Sequence, residues 1–326
     1  MVILTKIKSL FNPSMYQGWG TTRKYFEGWY YKAVNAAATK AFAFIPGIAR
    51  DEKGECHAFI QVLDGIRQRS EYYSFEASSF NPSDKKFEIS IGSNFFSADS
   101  IILDLPAYKG KLNFSEIINW PGRWYSPGIM GPYTFAPFMQ CNHGIVSMDH
   151  SISGSLEIED DEIDFTGGRG YTEKDWGHSF PSAYIWMQSN YFENPGISFK
   201  ASIATIPWIT GTFNGFIAGL WYKDRLYRYT EYNGSRLSKL IFTGKNVELE
   251  FLNRESILSV SAPFSHTTSL ASPVRGLMKG RIEESMTSVI TLSLADRRSG
   301  DVLFKGEGRI ASIEVSGNTK TLLPSD

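Results

Sequence analysis

Glu27-Gly28-Trp29-Tyr30-Tyr31-Lys32-Ala33-Val34 is matched 157 positions later by Tyr184-Ile185-Trp186-Met187-Gln188-Ser189-Asn190-Tyr191, and this repeat decides the fold. The same shift sets Trp29 on Trp186, Phe42 on Phe199, Phe59 on Phe216, Ile60 on Ile217, Leu63 on Leu220, Tyr72 on Tyr229 and Phe75 on Tyr232. No gap is needed along this stretch. The ends of the halves also echo each other: Ile163-Asp164-Phe165-Thr166-Gly167 resembles Val302-Leu303-Phe304-Lys305-Gly306, now 139 positions apart. A repeat of this length implies one structural unit used twice.

The repeated segments read as strands. Glu27–Val34, Lys40–Ile48, His57–Asp64, Ser70–Ser78, Phe87–Ile91 and Ile101–Leu103 are short and rich in aromatic and aliphatic residues, with Asn35–Thr39 a loop between the first two. Ala183–Asn190, Ile197–Ile206, Phe213–Lys223, Leu226–Tyr232, Val247–Asn253, Ile257–Ser261, Met286–Leu294 and Val302–Val315 continue the pattern. Short strands at roughly 8–12-residue spacing, parted by Gly, Asn and Pro, indicate a sandwich or barrel. No segment carries a long apolar period of about 3.6 residues. Closure hides sheet edges, and a barrel of about eight strands holds one small ligand. The expectation is an all-β protein of two tandem antiparallel barrels, residues 1–168 and 169–326. Residues 109–137, with Pro121-Gly122, Pro127-Gly128, Trp120, Trp124 and Tyr125, are expected as a loop-rich insertion covering a cavity or packing on the barrel.

Composition agrees. A chain of 326 residues exceeds one ordinary core, and its 42 % hydrophobic and 21 % charged residues are globular values. The 23 Phe, 16 Tyr and 8 Trp favour pleated sheet and can line a wide apolar cavity. A net charge of −1 argues against nucleic acid as a partner. Two cysteines, Cys56 and Cys141, give no disulfide framework and suit a reducing cytoplasm. Met1–Leu10 is short and weakly apolar for a signal peptide, and no run reaches the roughly 18 apolar residues of a spanning helix. Contact with a membrane surface is left open.

Two clusters could carry chemistry: residues 25–32 and residues 171–190. On a strand from Tyr184, alternate residues Tyr184, Trp186, Gln188 and Asn190 share one face. Directed inward, this face would be a polar patch in an apolar cavity, requiring partners or a ligand. Asp175, Glu27 and Glu173 are candidate acids, because an enclosed carboxyl has its pKa raised and can donate a proton near neutral pH. A salt bridge with Lys174, Lys32 or Arg23 is the competing role. His178 is a candidate acid or base near pH 7, or else a structural residue. Cys141, His143 and His150 do not have zinc spacing, so no metal is expected. Nucleotide-binding glycine loops and the serine nucleophile elbow do not occur.

Glu27-Gly28-Trp29-Tyr30, Asp175-Trp176-Gly177-His178-Ser179-Phe180-Pro181 and Trp186-Met187-Gln188-Ser189-Asn190 resemble motifs of the tocopherol cyclase family. Leu258–Pro263 and Gly280 resemble its C-terminal half, so the likeness runs over residues 13–320. The resemblance implies two lipocalin-like barrels, as in the carotenoid hydratases of hydroxyneurosporene synthase type. It also implies acid-catalysed cyclisation or hydration of a prenylated quinol or isoprenoid lipid, without cofactor. Such a lipid would be collected by peripheral membrane contact. Asp175 would be the first choice of acid, with Glu27 or Glu173 second. His178, Gln188 and Asn190 would orient the polar head of the ligand, and Trp29, Trp176, Tyr184 and Trp186 would line the cavity. Tyr25 and His143 complete the expected ligand contacts. The alternative is a lipocalin-like carrier of a hydrophobic small molecule without turnover.

Overall fold

The computed structural model describes residues 2–136, 139–208 and 211–322. It is built almost wholly from antiparallel strands, with one α-helix, α1 (Val2–Leu10). The strands are β1 Tyr25–Val34, β2 Ala41–Arg50, β3 Cys56–Asp64, β4 Arg69–Glu76, β5 Phe80–Pro82, β6 Glu88–Ile91, β7 Asn94–Ser97, β8 Ser100–Leu105, β9 Tyr108–Ile118, β10 Cys141–Ile158, β11 Asp161–Asp164 and β12 Gly168–Gly177. The second series is β13 Tyr184–Ser189, β14 Ser198–Trp208, β15 Gly211–Tyr222, β16 Arg225–Thr230, β17 Arg236–Phe242, β18 Asn246–Leu252, β19 Ser256–Pro263, β20 Thr267–Val274, β21 Leu277–Asp296 and β22 Val302–Ser316.

The first series forms a nearly closed barrel in the order β4-β3-β2-β1-β12-β10-β9-β8-β7-β6-β5, with β11 on β10. The second forms a sheet in the order β16-β15-β14-β13-β22-β21-β19-β18-β17, with β20 on β21. The repeat is visible in the wiring: each series begins with a four-strand meander whose first strand also pairs with the series' last strand.

The chain divides into unit 1, Met1–Phe180 with Ala271–Arg281, and unit 2, Pro181–Leu270 with Ile282–Asp326. The terminal residue Met1 and residues 323–326 lie outside the described residues. Arg169–Gly177, assigned by sequence to the second half, pairs with β1 and β10 and lies in unit 1. Ala271–Arg281 contains the turn Arg275-Gly276, with φ of 50° and 83°. Only glycine suits the second place, because a side chain there would meet the Arg50 carbonyl oxygen at 1.9 Å.

Each unit has its own core. In unit 1 the inward residues of β1 are Trp29, Tyr31 and Ala33, and those of β2 include Phe42 and Phe44. In unit 2 they are Ala183, Ile185 and Met187 before and on β13, and Phe199, Ala201 and Ile203 on β14. The shift of 157 preserves the inward face only for β2 and β14. Trp29 points into its core while its match Trp186 does not, and inward Ile60 matches half-buried Ile217. A one-residue slip turns a strand's side chains over, so these strand pairs match in topology but not in face at that shift. Of the expected insertion 109–137, residues up to Ile118 are the strand β9; the irregular stretch begins after it, and Pro137 lies outside the described residues.

Candidate active site

β12 carries two different sets of polar groups on its two faces. Its even residues point into the barrel of unit 1. There Lys174 Nζ lies 2.6 Å from Glu27 Oε1, and neither side chain has any solvent exposure. Lys174 also donates to the carbonyls of Pro13 (2.9 Å) and Met15, and sits 4.8 Å from the ring centre of Trp29 and 4.6 Å from that of Trp176. Glu27 accepts hydrogen bonds from the amides of Gln17 and Gly18 and from the Tyr25 hydroxyl. Burial pushes the Glu27 carboxyl up, while Lys174, Tyr25 and Gln17 hold it down. Burial lowers the Lys174 ammonium to about 8 against the pull of Glu27. Every lone pair of Glu27 thus faces a donor. This is the salt bridge weighed against the acid role, and it pins residues 13–18 to the barrel.

The odd residues of β12 face the other way. Antiparallel pairing sets His143 of β10 opposite Asp175, and Tyr30 of β1 opposite Glu173. His143 Nδ1 is 2.8 Å from Asp175 Oδ1, and its Nε2 is 3.3 Å from Glu173 Oε2. Tyr171 donates to the same Glu173 oxygen at 2.5 Å. Burial and the Glu173 charge push the Tyr171 hydroxyl well above its ordinary value, so it remains a donor. Glu173 and Tyr171 are buried, whereas the Asp175 side chain is 27 % exposed. Asp175, His143, Glu173 and Tyr171 therefore lie in line from a solvent-reached carboxyl to a buried carboxyl and phenol, joined by hydrogen bonds at the two ends and by a 3.3 Å charge contact between His143 and Glu173. Both ring nitrogens of His143 stand beside carboxylate oxygens, toward either of which an N–H would be directed. The thiol of Cys141, 3.9 Å from Asp175, is pushed up by burial and by that carboxylate.

The donor atoms of His143, Glu173 and Asp175 lie within 4.8 Å of one another, near enough to surround a cation. The 2.8 Å His143–Asp175 hydrogen bond takes up one of those nitrogen donors, and a cation bound through Nδ1 would have to displace it. His150, which lies seven residues after His143 in the sequence, bonds Ser147 at 2.9 Å and packs 4.3 Å from Phe114.

The remaining expected residues fall elsewhere. Trp29, Tyr25 and Trp176 belong to the inner site of unit 1. His178 has an exposed ring, while its carbonyl accepts from Gly276 at 2.7 Å. Tyr184, Trp186, Gln188 and Asn190 do share one buried face, as their alternation requires, but it is opposite the core of unit 2. Tyr184 donates to Glu314 at 2.8 Å, and Gln188 donates to Asn190 at 3.1 Å. Pairing adds Lys200 opposite Gln188, Glu314 opposite Trp186, and Glu284 opposite Glu314. The sequence reading missed these three, together with Tyr171 as a partner of Glu173. Strand alternation from Glu173 would have found Tyr171; the others depend on pairing across long loops. A cleft of about 640 Å³ in unit 2 is lined by Ile197, Tyr222, Lys223, Phe304 and neighbours, none of them candidate residues.

Residues 123–317 match the family model described as tocopherol cyclase-like. The chain belongs to the tocopherol cyclase-like family. The matched span contains β10, β12 and the whole Asp175–His143–Glu173–Tyr171 chain. Among curated relatives, the chloroplastic tocopherol cyclase of Zea mays is 22 % identical over 201 residues, covering 56 % of this chain and 40 % of the relative. The probable chloroplastic tocopherol cyclase of Oryza sativa subsp. japonica is 21 % identical over 194 residues, with the same coverages. The match therefore spans under half the length of these relatives. Among solved structures, CghA with Sch210972 aligns with a TM-score of 0.54 at 12 % identity, covering 90 % of this chain and 89 % of CghA. At that identity the likeness is one of fold. It extends over both units of this tocopherol cyclase-like protein.

Proposed function

We propose that this protein is an acid catalyst that cyclises or hydrates a hydrophobic isoprenoid substrate, a prenylated quinol being the leading candidate. The observation carrying this reading is the Asp175–His143–Glu173–Tyr171 chain in a member of the tocopherol cyclase-like family. Asp175 exchanges protons with solvent, His143 passes them inward, and Glu173 delivers them, with Tyr171 orienting its carboxyl. Asp175, first choice as the acid from the sequence, becomes the solvent end of the relay.

In the step itself, the Glu173 O–H bond breaks and its proton bonds to the less substituted alkene carbon. The π pair forms that C–H bond and leaves a tertiary cation. A phenol oxygen of the substrate, or a water, then bonds to the cation and gives up its proton, restoring the acid through His143. No oxidant or reductant is consumed. A substrate of this class is met in a lipid phase, so peripheral membrane contact forms part of the reading.

The test is turnover of a prenylated quinol in deuterium oxide, read by mass spectrometry. One solvent deuteron fixed on carbon per product is expected. Glu173→Gln should lower the rate by about a hundredfold or more, the usual scale of a lost general acid. Bound quinol recovered unaltered and undeuterated would overturn the enzyme reading in favour of a carrier.

A further inference from the structure

α1 is reversed relative to an ordinary surface helix. It buries its hydroxyl residues, Thr5 at 8 % and Ser9 at 1 % exposure, and turns Ile3 and Leu4, each 74 % exposed, Ile7 (51 %) and the following Phe11 (42 %) outward. Amphipathic helices normally bury the apolar stripe. A second exposed apolar element adjoins it: Phe135, half-exposed, lies 5.9 Å ring to ring from Phe11. In the same segment Trp124 is 80 % exposed. Trp124 and Tyr125 sit at the tip of a turn closed by reciprocal Arg123–Ser126 backbone bonds of 2.8 and 2.9 Å. Gly128 seats this segment on Pro13, where a side chain would meet the proline ring at 2.9 Å.

The segment itself carries charges of one sign, although Lys24 is paired with Glu52 at 3.2 Å. Residues 2–24 contain Lys6, Lys8, Arg23 and Lys24 and no acidic residue, and Arg123 flanks the tryptophan tip. Lys8 is occupied with the carbonyls of Lys85 and Asp84, while Lys6 is exposed. An apolar helix face with lysines beside it, joined by an exposed Trp-Tyr pair, has the composition of an element lying in a bilayer interface. A second copy of the chain, packed symmetrically, would bring these cations toward one another. Anionic headgroups would neutralise them.

We propose that α1 and the Trp124–Tyr125 turn form a docking face for anionic lipid bilayers. The face lies on elements separate from the proton relay and does not require turnover.

The test is co-sedimentation of the full chain with phosphatidylcholine vesicles, with and without phosphatidylglycerol. Binding favouring the anionic vesicles and weakening with salt is expected, with Trp emission moving to the blue and Trp124→Phe removing most of that shift. Ile7→Glu should weaken binding by about tenfold or more, since burying one aliphatic side chain is worth roughly that factor. Lys6→Glu should cost about fivefold or more on anionic vesicles alone. These side chains are exposed, so unchanged thermal unfolding of each variant confirms that it folds. Wild type remaining in the supernatant with both vesicles, or Ile7→Glu and Trp124→Ala binding as wild type does, overturns the proposal. So does a concentration-dependent dimer, abolished by Ile7→Glu, that binds no vesicle. Turnover of detergent-dispersed quinol, measured alongside, fails only if the catalytic reading fails.

Discussion

Glu173 and Lys174 are neighbours in β12 and serve opposite faces of the sheet: Glu173 meets His143 at 3.3 Å outside the barrel, and Lys174 meets Glu27 at 2.6 Å inside it. One peptide bond separates the proposed acid from the pair that fixes the barrel. The two faces should therefore respond to mutation differently.

On the inner face, Lys174→Met leaves Glu27 buried without its counter-charge. Urea unfolding should show a loss of roughly 3–5 kcal/mol. Adding Glu27→Gln should recover a substantial part, because a neutral amide costs less to bury. Folded Lys174→Met protein should still deuterate substrate, whereas Glu173→Gln should be near wild type in stability and poor in turnover. The reverse pattern would exchange the roles assigned to the two faces.

On the outer face, the acid must carry its proton. Asp175→Asn should slow turnover less than Glu173→Gln does, since solvent can reach His143 by other routes. Turnover rates of wild type and the two variants, measured side by side, check this. An Asp175→Asn rate as low as that of Glu173→Gln would return the acid role to Asp175.

His150 is fully buried, and burial together with the Arg169 charge lowers its pKa from 6.5 to about 3. Below pH 6.5 the unfolded chain takes up a proton that the native chain refuses. Stability should drop from there toward pH 3, by up to about 1.4 kcal/mol per pH unit. His150→Gln should flatten that slope. Gly170 faces this ring, and a Cβ there would sit 2.1 Å from Nε2. Gly170→Ala should cost roughly 1–3 kcal/mol by overpacking, and His150→Ala/Gly170→Ala less than the two single costs added.

In unit 2, burial raises the Glu231 carboxyl from 4.5 to about 7, outweighing the hydrogen bond from the Phe216 amide. The native state here holds a proton that the unfolded chain releases. The contribution is complete below pH 4.5 and is lost as pH rises through 7. Glu231→Gln should remove this decline, leaving the variant about 1–3 kcal/mol more stable relative to wild type at pH 8 than at pH 4. Parallel denaturant titrations at the two pH values measure it.

Much of the architecture was legible in the chain. The aromatic strand pattern and the repeat place β1–β4 against β13–β16, because side-chain chemistry and turn residues are local properties. Glu27, Glu173, Asp175 and His143 could likewise be named as candidates from their surroundings. Their partnerships could not. Lys174 reaches Glu27 across 147 positions (174 − 27), and His143 reaches Asp175 and Glu173 only through the β10–β12 register, which slips between Ile145 and Ser147 and again before His150.

The sequence by itself determined that the chain forms two related antiparallel sheets rich in aromatic cores. The tertiary structure decided which face each strand buries: Trp29 points into the core of unit 1, whereas Trp186, Gln188 and Asn190 face away from the core of unit 2, although the repeat sets Trp186 on Trp29. A strand's side chains alternate with period two, so a slip of one residue reverses every face while scarcely disturbing the sequence pattern. Only the pairing of distant strands fixes that choice, and with it the division between the Glu27–Lys174 staple and the proton chain outside the barrel.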